Sequence, residues 1–383
     1  MRQRAGRLRR QLSGDAAYEA FAPTPLPPDP PVAVDAETTA LLVDAHRRLA
    51  LLEGAARQIP NVDLVLALYA RKEALMSAQI EGTQATLEDV FDPTVEETAN
   101  RDVADVVNYV RAIDHAVARL REPPPAGLPL CGRLLLETHA ILLAGARGEE
   151  RTPGEFRRSQ NWIGGVGSTI RTARYIPPAV EDMRESMNDL EVYLNAHDET
   201  DVLIKAALIH YQFETIHPFL DGNGRLGRLL ITLYLIDQGI LSRPVLYPSY
   251  YLKLNRVEYF DRLSQVRRNG DFEQWVRFFL RALAAAADDC LVTINRLAQL
   301  RARDSARLQA VGGRRLLAVW ALLERTPIIT VSGAAQSLAV SFNTAAKAVE
   351  ALVSLGLIHP TSLARRNRTF AYTEYLEILR PGT

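Results

Sequence analysis

The sequence predicts a mainly α-helical protein with one β-hairpin flap and a small C-terminal unit of three helices and two strands. Three observations lead to this prediction. Apolar residues recur at intervals of three and four along most of the 383 residues, which is the spacing of one helix face. Residues 154–178 break that spacing with glycines and β-formers. After the glycine pair at 312–313, short helical stretches give way to two short apolar runs typical of strands.

The composition excludes several classes of function. The chain is 48% hydrophobic and has a formal net charge of zero, so a large core is available and bulk charge attracts neither nucleic acid nor anionic membrane. Cys131 and Cys290 have neither pairing context nor metal-ligand spacing, which fits a reducing compartment. No apolar segment follows the basic N-terminus, and no run reaches the ~18 apolar residues of a membrane span. We therefore expect a cytoplasmic protein without membrane contact.

Four parts follow along the chain. Residues 1–34 are an N-terminal arm, because residues 21–31 contain too many prolines for a helix and favour an extended path over the surface. Residues 35–125 are a helical region, and residues 126–305 are a central core that includes the flap. Residues 311–383 have the outline of a winged helix-turn-helix.

The apolar spacing also gives the bounds of the individual helices. Glycines at helix ends and prolines between helices mark where each one stops. The predicted helices cover residues 35–55, 61–80, 96–121, 132–143, 181–195, 201–215, 226–238, 255–268, 272–303, 316–323, 332–339 and 341–355. The two predicted C-terminal strands, 357–358 and 369–372, flank a basic loop.

The most specific signal is the loop in FETIHPFLDGNGRLGRLL, residues 213–230, which separates two apolar helical stretches. Gly222, Gly224 and Gly227 allow backbone N–H groups to point inward without a Cβ clash. The N-terminus of the helix that follows adds partial positive charge. This combination predicts an anion-binding loop.

The side chains of the same loop indicate which anion. Asn223, Arg225 and Arg228 add donors, and two guanidinium groups suit a di- or triphosphate. Asp221 opposes that charge, which is explained if it holds Mg²⁺ between phosphates. His217 can be a neutral base at cytosolic pH. A helix-capping turn with solvated charges is the plainer alternative, but it does not require these residue types in this order. The loop predicts transfer of a phosphorus-centred group.

The twelve residues HPFLDGNGRLGR, residues 217–228, resemble the Fic-domain signature His-Pro-Phe-x-Asp/Glu-Gly-Asn-Gly-Arg-x-x-Arg at every position. The proline-rich arm, the flap sequence GEFRRSQNWIGG and the stretch YPSYYLKLNRVEYFDRL are also similar to those of larger bacterial Fic proteins. The resemblance covers roughly residues 20–285, and a winged unit is a frequent companion in such proteins. It implies transfer of AMP from ATP to a protein hydroxyl, with release of pyrophosphate.

The resemblance also implies a role for each residue of the motif. His217 would deprotonate a Ser, Thr or Tyr hydroxyl of the target protein or of the chain itself. Asp221 would hold Mg²⁺ against the α- and β-phosphates, and Arg228 would hold the γ-phosphate. The other implied phosphate contacts fall on Gly222, Asn223, Gly224 and Arg225.

The resemblance also implies two binding surfaces, from the positions that certain residues have in the sequence. The flap at Arg174, Tyr175 and Ile176 would pair through its backbone with an extended target segment, a mode that tolerates many sequences. Tyr259 and Phe260 would line the adenine pocket, although packing in a helical core accounts for either aromatic residue equally well.

The segment SAQIEG, residues 77–82, is similar to the inhibitory pattern of the same family. Ser77 and Glu81 are four residues apart, so they share a face if residues 77–81 are helical. The resemblance implies that Glu81 pairs with Arg228 and competes with the γ-phosphate of ATP for that guanidinium. A solvated glutamate at a helix end is the alternative that the six residues alone support.

Other functions remain open at this point. The same site could remove AMP from a target or use another nucleotide. A regulator that binds DNA through residues 311–383 belongs to a different class, and winged units also serve as dimer or docking surfaces. The residues available for phosphates or bases are Ser341, Asn343, Thr344, Lys347, Arg365, Arg366 and Arg368. A homodimer is a further partner expectation.

Overall fold

The computed structural model describes residues 2–58, 62–95, 100–145, 149–165, 167–361 and 368–382. These residues form sixteen α-helices and five β-strands, so the prediction of a mainly helical protein is confirmed. Short 3-10 turns occur at Gly14–Ala16 and Glu149–Arg151. Within these described ranges, no helix is both long enough and apolar enough to cross a lipid bilayer.

The helices follow the predicted order closely. Their bounds are α1 (Arg2–Ala5), α2 (Ala36–Gln58), α3 (Val62–Ile80), α4 (Leu87–Phe91), α5 (Arg101–Arg121), α6 (Gly132–Leu142), α7 (Val180–Asn195), α8 (Val202–Ile216), α9 (Asn223–Asp237), α10 (Ser249–Leu254), α11 (Arg256–Asn269), α12 (Phe272–Val311), α13 (Arg314–Leu323), α14 (Val331–Ser337), α15 (Phe342–Ser354) and α16 (Thr373–Leu379). The predicted starts at residues 61 and 96 lie outside the described residues.

The strands form two small antiparallel sheets. The first is a hairpin of β1 (Gly6–Gln11) and β2 (Tyr18–Pro23), with Gly6 opposite Pro23. The second contains β3 (Ile328–Thr330), β4 (His359–Pro360) and β5 (Thr369–Ala371) in the order β3-β5-β4. The first sheet belongs to the N-terminal arm and the second to the C-terminal unit.

Two buried central helices carry the glycine-rich loop. Every residue of α8 after its first is buried, and so are most residues of α9. Helix α8 ends where His217 takes the left-handed conformation, with φ of 50°, just before Pro218. Helix α9 begins after Gly222, whose φ of 76° favours glycine. The loop at residues 217–222 is therefore held at both ends by the core.

Helix α12 is longer than predicted and connects the core to the C-terminal unit. Its buried positions continue past the predicted end at 303 with Asp304 and Leu308, which keep the helical spacing. Glycine 312 ends it. The predicted limit of the core at residue 305 thus falls inside a continuous helix that packs against α2, α8 and α16.

The C-terminal unit contains the predicted helices as α13, α14 and α15 and the strand predicted at 369–372 as β5. The strand predicted at 357–358 was placed too early, because β4 begins at His359. Strand β3 and helix α16 were not predicted. Arg365 and Arg366, which were expected in the wing, lie outside the described residues. The winged helix therefore stays a prediction.

The N-terminal arm is more ordered than the predicted extended path, because residues 6–23 fold into the β1–β2 hairpin. The hairpin also reaches the flap, where the Phe21 N–H donates to the Ile176 carbonyl at 3.0 Å. The flap itself, predicted as a hairpin, has a single antiparallel bridge between Ile163 and Tyr175. The other backbone bond of this part of the flap is the one from Phe21 of the N-terminal arm. The flap is therefore a long loop and not a two-stranded hairpin.

Candidate active site

His217 is fixed through its backbone. Its N–H donates to the Phe213 carbonyl at 3.0 Å, which completes the end of α8. Its own carbonyl accepts from Arg157 Nε at 3.1 Å and from Asn161 Nδ2 at 3.3 Å. Burial lowers the pKa of His217 to about 4, against the opposing effect of the Glu81 carboxylate. The imidazole is therefore neutral at neutral pH, which is the form a general base requires.

Arg157 and Asn161 are site residues that the sequence analysis missed. The Arg157 side chain is fully buried and also donates to the Pro178 carbonyl at 2.5 Å, which ties the end of the flap to the loop. Asn161 Nδ2 donates to the Phe219 carbonyl at 2.9 Å as well. Both residues shape the loop around His217 from the flap side.

His139 supports the loop from the opposite side and was also missed. Its Nε2 donates to the Asp221 carbonyl at 3.0 Å, and its Nδ1 accepts from the Gly154 N–H at 2.9 Å. Its ring stacks on Phe219 with centroids 3.7 Å apart. Burial lowers the pKa of His139 to about 4, although the Asp221 carbonyl acts in the opposite direction. A neutral ring with one defined tautomer thus holds the backbone of Asp221.

Asn223 was predicted to bind phosphate, but its side chain holds the loop. The side-chain oxygen accepts from the Phe219 N–H at 2.9 Å, and the nitrogen donates to the Phe219 carbonyl at 2.8 Å. The first backbone bond into α9 is donated by Leu226. Within the described part of the chain, the N–H groups of Asn223, Gly224 and Arg225 have no acceptor, so this helix start can bind an anion.

Arg225 is paired inside the protein. Its Nη1 lies 2.8 Å from Asp105 Oδ1 on α5, and both side chains are 5% exposed. Its Nη2 also lies 3.7 Å from Asp221 Oδ1. Buried ion pairs are costly to break on one side, because the remaining charge is left without a partner. The predicted contact between Arg225 and phosphate stays a prediction.

Replacing Asp105 with alanine is expected to lower the free energy of unfolding by about 3 kcal/mol, the lower end of the cost of breaking a buried ion pair, because Arg225 keeps only the more distant Asp221 carboxylate. Denaturant unfolding followed by circular dichroism measures this change. Asp105→Asn is the matched control and should cost less, because its amide oxygen still accepts. Equal costs for the two variants would show that packing, and not charge, matters at this position.

Arg228 makes the contact that the sequence predicted. Its Nη2 lies 2.8 Å from Glu81 Oε1, and its Nε donates to the Ser77 hydroxyl at 2.9 Å. The Arg228 side chain is 0% exposed, whereas that of Glu81 is 42% exposed. Burial acts to raise the pKa of Glu81, but Arg228, together with other positive charge that includes Arg225, holds that pKa below its ordinary value. A Cβ added at Gly224 would lie 2.1 Å from Glu81 Oε1, so this glycine makes room for the carboxylate.

Glu214 is a second carboxylate near Arg228. It is 6% exposed, and its Oε1 has no hydrogen-bond partner within the described ranges. A Cβ added at Gly227 would lie 2.5 Å from that oxygen. Burial raises the pKa of Glu214 to about 7, against the opposing effect of Arg228. Glu81 and Glu214 therefore have pKa values shifted in opposite directions beside one guanidinium.

Replacing Glu214 with glutamine is expected to stabilise the protein at alkaline pH. Between the ordinary pKa of Glu and about 7, the folded state keeps a proton that the unfolded state has lost, so stability falls as pH rises. The Glu214→Gln protein does not lose stability in this way. Its free energy of unfolding should therefore exceed that of the wild type by an amount that grows across this pH range and reaches about 3 kcal/mol at pH 8. Unfolding curves at several pH values measure it. Glu81→Gln, the control with a lowered pKa, should lose stability at neutral pH.

The two aromatic residues predicted for the adenine pocket differ in their surroundings. Tyr259 is fully buried, and its hydroxyl donates to His210 Nε2 at 2.9 Å, while His210 Nδ1 donates to the Gly227 carbonyl. Phe260 is half-buried, and the Arg256 guanidinium lies 5.2 Å from its ring centroid. Tyr259 thus packs in the core beneath the loop, and Phe260 is the better placed of the two to meet a ligand.

The three flap residues meet different partners. The Tyr175 hydroxyl donates to the Thr215 carbonyl at 2.7 Å, close to His217 in the chain. Ile176 accepts from the N-terminal hairpin, as described above. The Arg174 side chain pairs with Asp261 at 2.8 Å, and no hydrogen bond within the described ranges uses the Arg174 backbone. Of these three residues, Arg174 alone has both its N–H and its carbonyl free within the described ranges.

Asp221 has the surroundings expected of a magnesium ligand. Its Oδ1 accepts from the Gly222 N–H at 2.6 Å, and its side chain is 42% exposed. No group of three metal-ligating side chains occurs in the part of the chain that is described. Mg²⁺ that accompanies nucleotides usually takes one or two carboxylates together with phosphates and waters. One exposed carboxylate beside an anion site fits that pattern.

Two models of the Fic/DOC family match the chain where this site is built. The Fic/DOC family N-terminal model matches residues 39–118, which include Ser77 and Glu81. The Fic/DOC family model matches residues 129–235, which include the whole loop. Residues 39–118 are thus a Fic/DOC N-terminal region, and residues 129–235 are a Fic/DOC domain. The resemblance of its motif is thus confirmed at the level of the family.

The curated relatives carry the same family name. The chain is 38% identical over 128 residues to "Protein adenylyltransferase Fic" of Aedes aegypti, an alignment of 33% of this chain and 22% of the relative. The protein of that name in Culex quinquefasciatus is 38% identical over 149 residues, or 38% of this chain and 26% of the relative. The alignments span about a quarter of these relatives. The likeness covers about a third of this chain.

Solved structures show the same fold over a longer part of the chain. A Fic family protein of Desulfovibrio desulfuricans aligns with a TM-score of 0.54 and 20% identity, covering 89% of this chain and 97% of that one. A Fic domain containing signaling protein of Bacteroides thetaiotaomicron aligns with a TM-score of 0.51 and 17% identity, covering 67% and 97%. The helical arrangement around the loop is therefore shared with other Fic proteins.

Proposed function

We propose that this Fic protein transfers AMP from ATP to the hydroxyl of a Ser, Thr or Tyr side chain, on itself and on another protein. One observation carries the proposal: a neutral His217 precedes a helix start with free N–H groups, and Arg228 lies one turn into that helix. A base next to a phosphate site is the arrangement that phosphoryl and nucleotidyl transfer need. The adenylyltransferase name of the relatives supports the same reaction.

In the proposed reaction, His217 accepts the proton of the target hydroxyl while the hydroxyl oxygen attacks the α-phosphorus of ATP. The bond from the α-phosphorus to the oxygen that bridges to the β-phosphorus breaks, and pyrophosphate leaves. The N–H groups at the start of α9 bind phosphate oxygens, and Arg228 binds the γ-phosphate. Mg²⁺ held at Asp221 would neutralise charge on the α- and β-phosphates. Positioning and charge neutralisation supply most of the rate.

The proposal includes a built-in restraint. Glu81 already occupies one nitrogen of the guanidinium that the γ-phosphate needs, and Ser77 accepts from the same side chain. A carboxylate and a phosphate compete for this single donor, so ATP binds in the reactive position only when Glu81 has moved. Because Glu81 is half-exposed and follows the end of α3, it can move without opening the core.

The choice between ATP and other nucleotides is tested with the Glu81→Gly protein. The full chain is incubated with Mg²⁺ and with α-labelled ATP, GTP, CTP or UTP in separate reactions, and modified residues are mapped by mass spectrometry. We expect label from ATP on hydroxyl side chains, with the mass of AMP. Absence of label from all four nucleotides, together with no heat of binding in calorimetry, would refute the proposed function. Preferred label from another nucleotide would replace AMP in the proposal.

A further inference from the structure

The Glu81 turn, residues 78–85, is closed on itself. It contains the end of α3 and most of the loop to α4. The Glu81 N–H donates to the Ala78 carbonyl at 3.0 Å. The Gln79 side chain closes the turn from the other side, because its Nε2 donates to the Ala85 carbonyl at 2.9 Å. The turn therefore moves as a unit, and a group that holds the Gln79 side chain also holds Glu81.

One ammonium group joins the Glu81 turn to the segment that follows α16. Lys253 Nζ, on α10, donates to Gln79 Oε1 at 2.5 Å and to the Gly382 carbonyl at 2.6 Å. Lys253 is half-buried, and hydrogen bonds from a charged donor are stronger than those between neutral groups. The Gly382 carbonyl thus fixes the ammonium, and the ammonium fixes Gln79.

The segment that follows α16, residues 380–382, also packs on α3 itself. A Cβ added at Gly382 would lie 2.6 Å from two ring carbons of Tyr250 and 2.9 Å from Met76 Cε, so only a glycine fits in this place. Met76 directly precedes Ser77, which accepts from the Arg228 guanidinium. The segment is therefore seated one residue away from the contact that restrains the site.

Arg380 places the same segment against the helix that follows the Glu81 turn. Its Nη2 lies 2.7 Å from Glu88 Oε1 on α4. Both side chains are about half-exposed, and a pair of this kind contributes little to stability. Its consequence is geometric: residues 380–382 contact α3 before the turn and α4 after it.

Helix α16 connects this segment to the C-terminal unit. Tyr372, directly before α16, donates its hydroxyl to Asp304 on α12 at 2.5 Å, and its N–H donates to the Pro327 carbonyl at 2.8 Å. Leu379, the last residue of α16, is buried. Residues 380–382 follow without a break, so a change in the position of the C-terminal unit reaches α3 through them.

The core holds the Glu81 turn at two further points. Arg256 Nε donates to the Ile80 carbonyl at 2.9 Å, and Asp102 Oδ2 accepts from the Gln84 N–H at 2.9 Å. Neither bond involves the C-terminal unit. Release of the C-terminal segment alone therefore loosens the turn without freeing it completely.

We propose that residues 380–382 and Lys253 form a C-terminal latch that keeps Glu81 in its restraining position. Lys253 is a positioning residue, because it acts on Glu81 through Gln79. The proposal rests on the proposed function, since the latch affects ATP only through the restraint by Glu81. When the latch opens, the turn can carry Glu81 away from Arg228, and the γ-phosphate can bind there. The C-terminal unit thereby takes part in the control of nucleotide transfer.

The latch is tested in the full chain with two variants that open it from opposite sides. Gly382→Val places a branched side chain against Tyr250 and Met76, and Lys253→Met removes the ammonium group. Each variant should raise the initial rate of self-labelling from ATP by about two- to tenfold, the factor that one hydrogen bond contributes. In the Glu81→Gly background neither variant should raise the rate further, because the carboxylate that the latch positions is absent.

Amide hydrogen exchange over residues 78–88 gives a readout that does not depend on nucleotide. The Glu81 and Gln84 N–H groups are hydrogen-bonded, so their exchange reports opening of the turn. Both latch variants should exchange about two- to tenfold faster in this segment. Gly14→Val is the matched control, because it also puts valine at a glycine of positive φ, in an exposed turn where a Cβ has no described neighbour within 4 Å. It should leave both exchange and rate unchanged.

Three results would overturn the latch. The first is wild-type exchange and rate in both latch variants while Glu81→Gly labels faster. The second is faster exchange without a rise in rate under the same condition, because the turn would then move without releasing the restraint. The third is a rise in rate of equal size in the Glu81→Gly background. Faster exchange in both latch variants, with no label from any nucleotide even in Glu81→Gly, would refute the proposed function and leave the hold of the latch on the turn.

Discussion

Replacing His217 with alanine is expected to lower the rate of label transfer from ATP by about a hundred- to ten-thousandfold, the range that a positioned general base supplies. The imidazole is neutral at neutral pH, because burial lowers the pKa of His217 to about 4. It can thus accept a proton from a hydroxyl without first losing one. The measurement is incorporation of radiolabel in the Glu81→Gly background, which lacks the carboxylate of the proposed restraint on ATP.

The control for this experiment is His197→Ala, which removes an exposed histidine in the loop after α7 and should leave transfer unchanged. Calorimetry with Mg²⁺ and ATP separates the chemical step from binding. The His217→Ala protein should retain most of its ATP affinity, because the proposed phosphate contacts come from α9 and not from the imidazole. Transfer at an undiminished rate would remove His217 from the reaction.

The sequence predicted best where local patterns decide the structure. Helices α8 and α9 carry continuous apolar spacing, and the left-handed turn at Gly222 is where a glycine is needed. The contact between Glu81 and Arg228 was also predicted, although the two residues are 147 positions apart. Periodicity did not reveal it. It followed from the resemblance of two short motifs, and the structure brings them to 2.8 Å.

The sequence predicted least where one segment folds against a distant one. His139 and Arg157 lie 82 and 60 positions from the loop carbonyls that they hold. His139 stands in no quoted motif, and Arg157 lies in the flap sequence GEFRRSQNWIGG without a role that the resemblance implied. A lone histidine on a helix face has many possible partners, and only the packing of α6 against the loop selects one. For the same reason, the β1–β2 hairpin and its bond to the flap could not be predicted from the prolines that follow it.

The site residues also show that a motif identifies positions more reliably than contacts. Asn223 and Arg225 stand where the family signature places them, yet their side chains bind Phe219 and Asp105 in this structure. Within the described residues, the groups left free to bind an anion are backbone N–H groups at the start of α9, whose availability depends on the helix start and not on the side chains. The motif thus predicts the place of a phosphate loop, but it does not predict which atoms of the loop are free to meet a ligand.

Replacing Glu81 with glycine is expected to raise incorporation of label from ATP by about ten- to a hundredfold. The estimate follows from one charge-assisted hydrogen bond of about 1.5–3 kcal/mol, which the carboxylate gives up when the γ-phosphate binds. Ser77 remains to position the guanidinium, because it accepts from Arg228 at two atoms. The measurement is the initial rate of self-labelling at fixed ATP, with wild type and variant at equal concentration.

Glu199→Gly is the matched control, since it removes an exposed glutamate from a loop and should leave the rate unchanged. Glu81→Gln separates charge from flexibility, because its amide keeps the shape of the carboxylate but binds the guanidinium more weakly, so its rate should lie between those of wild type and Glu81→Gly. Equal rates in all four proteins, with unchanged thermal unfolding, would show that the contact does not restrain the reaction. A rise in Glu81→Gly alone would assign the effect to backbone freedom, and the competition between carboxylate and phosphate would have to be abandoned.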